Sequence, residues 1–196
     1  MPSVVDITCP GCGARVHADQ TTCEWCHQPV IITGMSTLSG MQISAINTYS
    51  KSYEKDLQEH PDNAELNNAV ALCYLQLGFY DKAFEKFDKA IEQNINNGET
   101  YLYAAVCILA GRKPFLTPRP DIDKIEQYIN AALMIEEKGL YRYFQAYIKY
   151  DYFKRKFFKT SPTWEECLAQ AKADGFSPSD VNQLFSVLKQ EMPSCM

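Results

Sequence analysis

Two Cys-x-x-Cys pairs, Cys9/Cys12 and Cys23/Cys26, restrict the fold of the N-terminal segment more than any other feature of the sequence. Ten residues separate the pairs. Each pair forms a tight turn that directs two thiolates to one point, and four thiolates in a tetrahedron suit Zn²⁺. A closed shell leaves no position for a reactive water, so we expect one structural zinc ion. An iron site of the rubredoxin type is the disfavoured alternative, because the second turn lacks glycine and the connecting loop is short.

The segment Cys9-Pro-Gly-Cys12-Gly followed by Cys23-Glu-Trp-Cys26 resembles a compact zinc ribbon. We therefore assign residues 1–34 to a zinc ribbon. His17 and His27 could replace a cysteine ligand, but four cysteines already close the shell, and surface positions are favoured for both. Trp25 could anchor a partner, although packing against Pro29 or the first helix is the favoured interpretation.

Composition limits the compartment and the class of partner. The other four of the eight cysteines are scattered, and no basic region followed by an apolar run opens the chain, so we expect a cytoplasmic protein with reduced thiols. No apolar run approaches the ~20 residues of a membrane helix, and no membrane partner is expected. The net charge is −5, and residues 1–34 hold one cation against three acids, which disfavours nucleic acid.

An internal repeat dominates the chain after residue 40. Asn67–Tyr74 and Tyr101–Ile108 align at an offset of 34 residues, and the offset places Ala71 on Ala105. This period is typical of helix-turn-helix repeats, and small residues of this kind allow close helix packing. The segment resembles a tetratricopeptide repeat (TPR).

The resulting fold prediction is a mainly α protein with a small N-terminal β ribbon. We expect a TPR-like solenoid of about seven to eight helices over residues 41–196, joined to the ribbon by a linker at residues 35–40. A proline-containing insertion, 111–121, interrupts the second repeat, and the aromatic-rich segment Leu140–Phe158 is predicted as one helix.

The resemblance to tetratricopeptide repeats implies a concave binding face formed by the first helix of each repeat. Its lining would comprise Asn68, Leu72 and Leu75 in one repeat, and Glu99 and Tyr103 in the next. Members that bind chaperone tails clamp a carboxylate with Lys and Asn at such places. Asn68 and Leu72 stand there in this chain, so we do not expect that clamp.

A basic stripe is the second candidate surface. Residues 139–159 hold six cations and one acid, and helical spacing aligns Arg142, Gln145, Lys149 and Lys156. A solvated stripe on a buried helix is the favoured interpretation. An acidic peptide or domain is the functional alternative, single-stranded nucleic acid is a weaker one, and the acidic remainder of a second copy would give self-association.

The sequence contains no recognisable catalytic set or phosphate-binding glycine loop, so we expect no enzyme. The leading hypothesis is a protein–protein interaction adaptor or scaffold with a structural zinc site and a protein or peptide partner. A nucleic-acid-associated zinc-ribbon factor and a self-assembling structural protein are the alternatives.

Overall fold

The computed structural model describes residues 6–196. The chain forms two compact units, one ending at Ile95 and the other beginning at Asn96. Two short strands pair antiparallel in the first unit, with Ile7 opposite Val16. The other regular elements of the described residues are helices, joined by loops, so the predicted mainly α class with a small N-terminal β element is confirmed.

The regular elements alternate with short turns. In chain order they are β1 (Asp6–Thr8), β2 (Arg15–His17), α1 (Met35–Leu38), α2 (Ile43–Glu59), α3 (Ala64–Leu77), α4 (Tyr80–Gln93), α5 (Gly98–Leu109), α6 (Arg119–Ile135), α7 (Gly139–Ile148), α8 (Trp164–Asp174) and α9 (Pro178–Leu188). A 3₁₀ turn covers Pro114–Leu116, and a π-helical segment covers Lys149–Lys154.

In the first unit, α3 packs against both α2 and α4. Small side chains allow this close approach: Ala71 and Ala83 are fully buried, and the fully buried ring of Phe87 fills the space that remains. The α3–α4 hairpin is therefore a helical repeat unit held by apolar burial.

The 34-residue repeat is visible in how the first helices of the two repeats begin. The helix α3 starts at Ala64 and α5 at Gly98, and 98 minus 64 is 34. The residue before each start is asparagine, and its side-chain oxygen accepts a backbone N–H three residues on, at 2.9 Å for Asn63 and 3.3 Å for Asn97. The two helices thus begin with the same type of N-cap residue and have the same apolar pattern.

The second unit contains the α5–α6 hairpin, with α7 packed against α6 and α8, and with α9 against α5 and α7. At the start of α7, a Cβ on Gly139 would lie only 2.5 Å from the Ala171 carbonyl oxygen and 2.3 Å from that of Gly175. Only glycine permits this approach of α7 to the end of α8.

The predicted single helix over Leu140–Phe158 is wrong in its second half. The α-helix stops at Ile148 and continues as the π-helical segment to Lys154. Such segments are rare and occur mostly as short interruptions of α-helices. The insertion contacts this segment, because Asp151 accepts the backbone N–H of Phe115 at 2.8 Å.

Residues 35–40 differ from an exposed linker. Residues Met35–Leu38 form α1, and the side chains of Met35 and Leu38 are buried. Residues 41–196 contain eight α-helices, in agreement with the predicted seven to eight, and this short helix is the ninth α-helix of the described residues. It also packs on α3, within the first unit.

Candidate metal centre

The four predicted cysteine ligands come together at one point. Their sulfur atoms all lie within 4.8 Å of one another, with Cys9 Sγ 3.6 Å from Cys26 Sγ and Cys12 Sγ 3.7 Å from Cys23 Sγ. A tetrahedron with metal–sulfur bonds of about 2.3 Å has edges of about 3.8 Å. The side chains therefore fit one four-coordinate metal ion. Within residues 6–196, these four cysteines are the one cluster of potential metal ligands.

The two cysteine turns are copies of one backbone structure. The N–H of Gly13 donates to the Cys9 carbonyl at 2.9 Å, and the N–H of His27 donates to the Cys23 carbonyl at 2.9 Å. Both donors have a left-handed backbone, with φ of 80° at Gly13 and 56° at His27. Both turns thus make the same bend, the first with glycine and the second with histidine. The left-handed backbone is unfavourable for histidine.

Burial and backbone N–H groups that point at the sulfur atoms give the cysteine thiols different pKa values. Burial raises the pKa of Cys9 to about 12, although two N–H groups of its own turn oppose the rise. At Cys23 burial also acts to raise the pKa, but the N–H groups of Cys26 and Trp25 and the neighbouring thiols outweigh it and lower the pKa to about 7. A bound divalent metal would hold all four as thiolates.

Neither histidine of this segment belongs to the cysteine cluster. His17 Nδ1 lies 2.6 Å from a carboxylate oxygen of Asp6 on the exposed face of the strand pair. His27 is exposed in the second turn. Both are surface residues, in agreement with the favoured interpretation of the sequence.

Two tyrosines of α2 attach the ribbon to the helices of the first unit. The hydroxyl of Tyr53, which is fully buried, donates to the Val30 carbonyl at 2.9 Å and accepts the N–H of Ile32 at 3.1 Å. Tyr49 donates to the Pro29 carbonyl at 3.0 Å. The C-terminal end of the ribbon, residues 29–32, is therefore bound through its backbone, a contact that sequence patterns do not record.

A second attachment holds β1 against α2. The carboxylate of Asp56 accepts the N–H of Thr8 at 3.3 and 3.4 Å, and Ser52 donates to the Thr8 carbonyl at 3.2 Å. Asp56 lies on the same helical face as the buried Tyr49 and Tyr53. A carboxylate on an apolar stripe is the sequence signal that could have revealed this contact, and our sequence analysis missed it.

Trp25 projects from the second cysteine turn into solvent. Its side chain is 76% exposed, so the favoured prediction that it packs on Pro29 or the first helix is wrong. Beside it lies an open recess of about 390 Å³. The recess is lined by Asp6, Arg15, Val16, His17, Gln20, Glu24 and Trp25. An aromatic ring in this position is available to a partner.

The residues predicted for a concave helical face are mostly inaccessible in the folded chain. Leu72 and Leu75 are about 1% exposed, and Tyr103 is 5% exposed. Asn68 and Glu99 are half-buried. Burial raises the pKa of Glu99, although Lys138 and a hydrogen bond from Tyr103 oppose the rise. The three buried side chains could contact a partner only if they became exposed. In this conformation Leu72, Leu75 and Tyr103 belong to the packed interior.

The side chains of the basic stripe likewise contact other residues of the second unit. Lys149, 6% exposed, lies 2.5 Å from a carboxylate oxygen of Glu126 and donates to the hydroxyl of Thr160 at 2.7 Å. Arg142 Nε lies 3.0 Å from the carboxylate of Asp174. The expectation of a solvated stripe is therefore wrong at Lys149, which is buried and paired.

The remaining members of the stripe make internal contacts too. The buried amide of Gln145 donates to the Asn130 side chain at 3.2 Å and accepts from the thiol of Cys167 at 3.4 Å. The ammonium of Lys156 lies 3.9 Å from the ring centre of Tyr152. The stripe joins α6, α7 and α8 rather than presenting a continuous charged surface.

The comparisons with known proteins identify no family for this chain. No family model matches the chain, and the search of curated proteins finds no match. Among solved structures, a chain described as "MamA MSR-1 C2" aligns with 21% identity and a TM-score of 0.47, covering 71% of this chain and 67% of its own. Across residues 6–196, no helix combines the length and hydropathy needed to cross a lipid bilayer.

Proposed function

We propose that the chain is a protein–protein interaction adaptor whose four cysteines hold one structural zinc ion. The observation that carries the proposal is Trp25, which stands 76% exposed on a cysteine turn beside an open recess. Tryptophan is among the residues that contribute most to protein interfaces when a partner covers it. The ribbon is therefore the recognition surface in this proposal.

Zinc is favoured over other metals by the chemistry of the ligands. Four thiol sulfurs that all lie within 4.8 Å of one another suit a tetrahedral ion with no preferred d-electron geometry. Because the shell is closed, the metal's role is to fix the turn that carries Trp25, and we propose no catalytic activity. The thiols must stay reduced to bind metal, so we propose a reducing compartment such as the cytoplasm.

The second support for a recognition role is the rigid base of the ribbon. Tyr53 and Asp56 hold ribbon backbone to α2, so the ring of Trp25 is presented on a fixed frame. Preorganisation of this kind lowers the entropy lost on binding. The recess carries the carboxylates of Asp6 and Glu24 against one arginine, Arg15. We therefore propose a protein or peptide partner that is neutral or basic at the contact.

The test is quantitative affinity capture with mass spectrometry on the full chain and two variants. Trp25→Ala removes the ring, and Ile43→Ala, which truncates a 70% exposed side chain on α2 of the same unit, is the matched control. We expect a partner that binds wild type and the control but loses at least tenfold of its affinity for Trp25→Ala. Metal content should be one ion per chain in all three.

Equal capture by Trp25→Ala and wild type would contradict the ribbon as recognition surface. Co-purified nucleic acid in place of protein would favour the nucleic-acid-associated alternative. Concentration-dependent oligomers without any other partner would favour self-assembly.

A further inference from the structure

The turn at residues 154–159 combines exposed aromatic rings with positive charge. It reads Lys-Arg-Lys-Phe-Phe-Lys, four cations with no acid. Phe157 is 95% exposed, the highest value among the large exposed apolar side chains of the described residues, and Phe158 is 50% exposed. The ring of Phe158 packs on that of Tyr152, with the ring centres 6.1 Å apart, whereas burial within the second unit does not explain the position of Phe157.

The backbone of this turn makes Phe157 more unusual. Phe157 has φ of 61°, in the left-handed region. Its N–H donates to the Lys154 carbonyl at 3.1 Å, and the N–H of Phe158 donates to the Phe153 carbonyl at 2.8 Å. This is the helix-ending motif in which glycine is the usual residue at the left-handed position. A phenylalanine at this position buries no apolar surface and strains the backbone, so it does not stabilise the fold. This points to a role outside folding.

The cations flank the two rings along the chain. Lys154 and Lys159 are exposed. Arg155 forms an ion pair with Asp151 and also lies over the ring of Phe115, with its guanidinium carbon 4.6 Å from the ring centre. Positive side chains therefore come directly before and after Phe157 and Phe158 in the sequence.

The proline-containing insertion extends the same edge. Its Phe115 N–H is bound by Asp151, and its ring lies under Arg155 and Lys156. The next residue, Leu116, is 69% exposed. We call Leu116 together with residues 154–159 the basic–aromatic edge. It joins the two segments of the second unit that depart most from a regular helical repeat.

We propose that the basic–aromatic edge docks on the surface of an anionic lipid bilayer. Clusters of four or more Lys and Arg bind anionic headgroups, and Phe and Leu side chains insert at the boundary between headgroups and acyl chains. An exposed ring at the tip of a tight turn suits a soft planar surface, which needs no matching recess. This peripheral contact departs from the expectation of no membrane partner, which rested on the absence of an apolar run long enough to span a bilayer.

Charge distribution sets how the protein would approach the bilayer. The chain carries −5 in total, so residues outside the turn carry −9, which is −5 minus +4. The rest of the molecule is repelled by an anionic surface while the edge is attracted. Binding is therefore oriented, and it weakens as salt screens the attraction.

The test is co-sedimentation of the full chain with phosphatidylcholine vesicles, with and without phosphatidylserine. We expect binding only to the vesicles that contain phosphatidylserine, and weaker binding at high salt. Phe157→Gly should bind about tenfold more weakly, because the inserted ring is lost. Its melting temperature should be equal to that of wild type or higher, because glycine suits the left-handed backbone. Lys154→Gln/Lys159→Gln should lose about fivefold per residue.

The matched control is Met134→Ser, which removes an 88% exposed apolar side chain from α6 of the same unit. It should bind vesicles like wild type. The proposal is overturned if binding does not depend on phosphatidylserine, if Phe157→Gly sediments like wild type, or if Met134→Ser loses as much. It is also overturned if Phe157→Gly abolishes a dimer while vesicle binding persists, since the edge would then belong to a second copy.

Discussion

The ribbon and the α3–α4 hairpin are held together by different physics, although both lie in the first compact unit. The hairpin buries alanines and the ring of Phe87 along two full helices. The ribbon has two three-residue strands, and its buried apolar side chains apart from the cysteines are Ile7, Val16, Ala18, Val30, Ile31 and Ile32. A segment with so small a core depends on cross-links, which here are four cysteines and the backbone contacts to α2.

The metal is expected to give the largest difference between the two regions. Chelation, or Cys23→Ser/Cys26→Ser, should remove most of the ~10–16 kcal/mol of apparent free energy that structural zinc contributes. Hydrogen exchange should then rise across residues 6–34, while the amides of α3 and α4 stay protected. Cys195→Ser, at an exposed thiol outside the cluster, is the control. A ribbon that stays protected without metal would break the comparison.

Phe87→Ala should produce the converse result. The cavity left by a fully buried ring costs about 3–5 kcal/mol, and denaturant unfolding followed by circular dichroism measures it. Metal content of the folded fraction should stay at one ion per chain. Ile95→Ala, which truncates a 62% exposed side chain just after α4, should change the free energy of unfolding by less than about 0.5 kcal/mol. Loss of metal from folded Phe87→Ala would show that the two regions are not energetically separate.

Tyr53→Phe tests the joint between the regions. It leaves a buried carbonyl and a buried N–H without their partner, which costs about 1–3 kcal/mol. Tyr49→Phe, which removes one hydrogen bond from a less buried hydroxyl, should cost less. Thermal unfolding of both variants gives the order, and the reverse order would argue against Tyr53 as the main attachment.

The two cysteine turns allow a test with opposite signs. His27→Gly should stabilise the metal-bound ribbon by about 1 kcal/mol, because the left-handed backbone no longer opposes a β-carbon. Gly13→Ala should destabilise it by a similar amount, since its β-carbon meets no atom within 4 Å and only the backbone is affected. Competition with a chelator measures both. Changes of the same sign would mean that the turns are not equivalent.

Asp56→Asn should have the smallest effect, and the effect should depend on pH. Burial raises the pKa of Asp56, although the N–H of Thr8 opposes the rise. A raised pKa means that the ionised carboxylate is disfavoured in the fold, so wild type is most stable below the ordinary pKa and loses stability as pH rises through the raised one. Asparagine does not titrate, so the variant should gain on wild type from acid to neutral pH in thermal unfolding. A difference constant with pH would refute the assignment.

Much of the fold follows from local patterns. The 34-residue offset predicts the spacing between the starts of α3 and α5, because the repeat is recorded directly in the order of residue types. The cysteine pairs predict the cluster for the same reason. The π-helical segment was not predictable in this way, since it contacts residues far along the chain: its Asp151 binds the backbone of a loop 36 residues away.

The sequence by itself determined which residues can bind a metal and which helices can pair, since both depend on spacing along the chain. Only the tertiary structure decided what covers each face. It buried Lys149 against Glu126, left Trp25 and Phe157 exposed, and fixed the ribbon to α2 through Tyr53 and Asp56. Burial depends on neighbours from distant segments of the chain. A helical pattern identifies an apolar face but does not predict which residues pack against it.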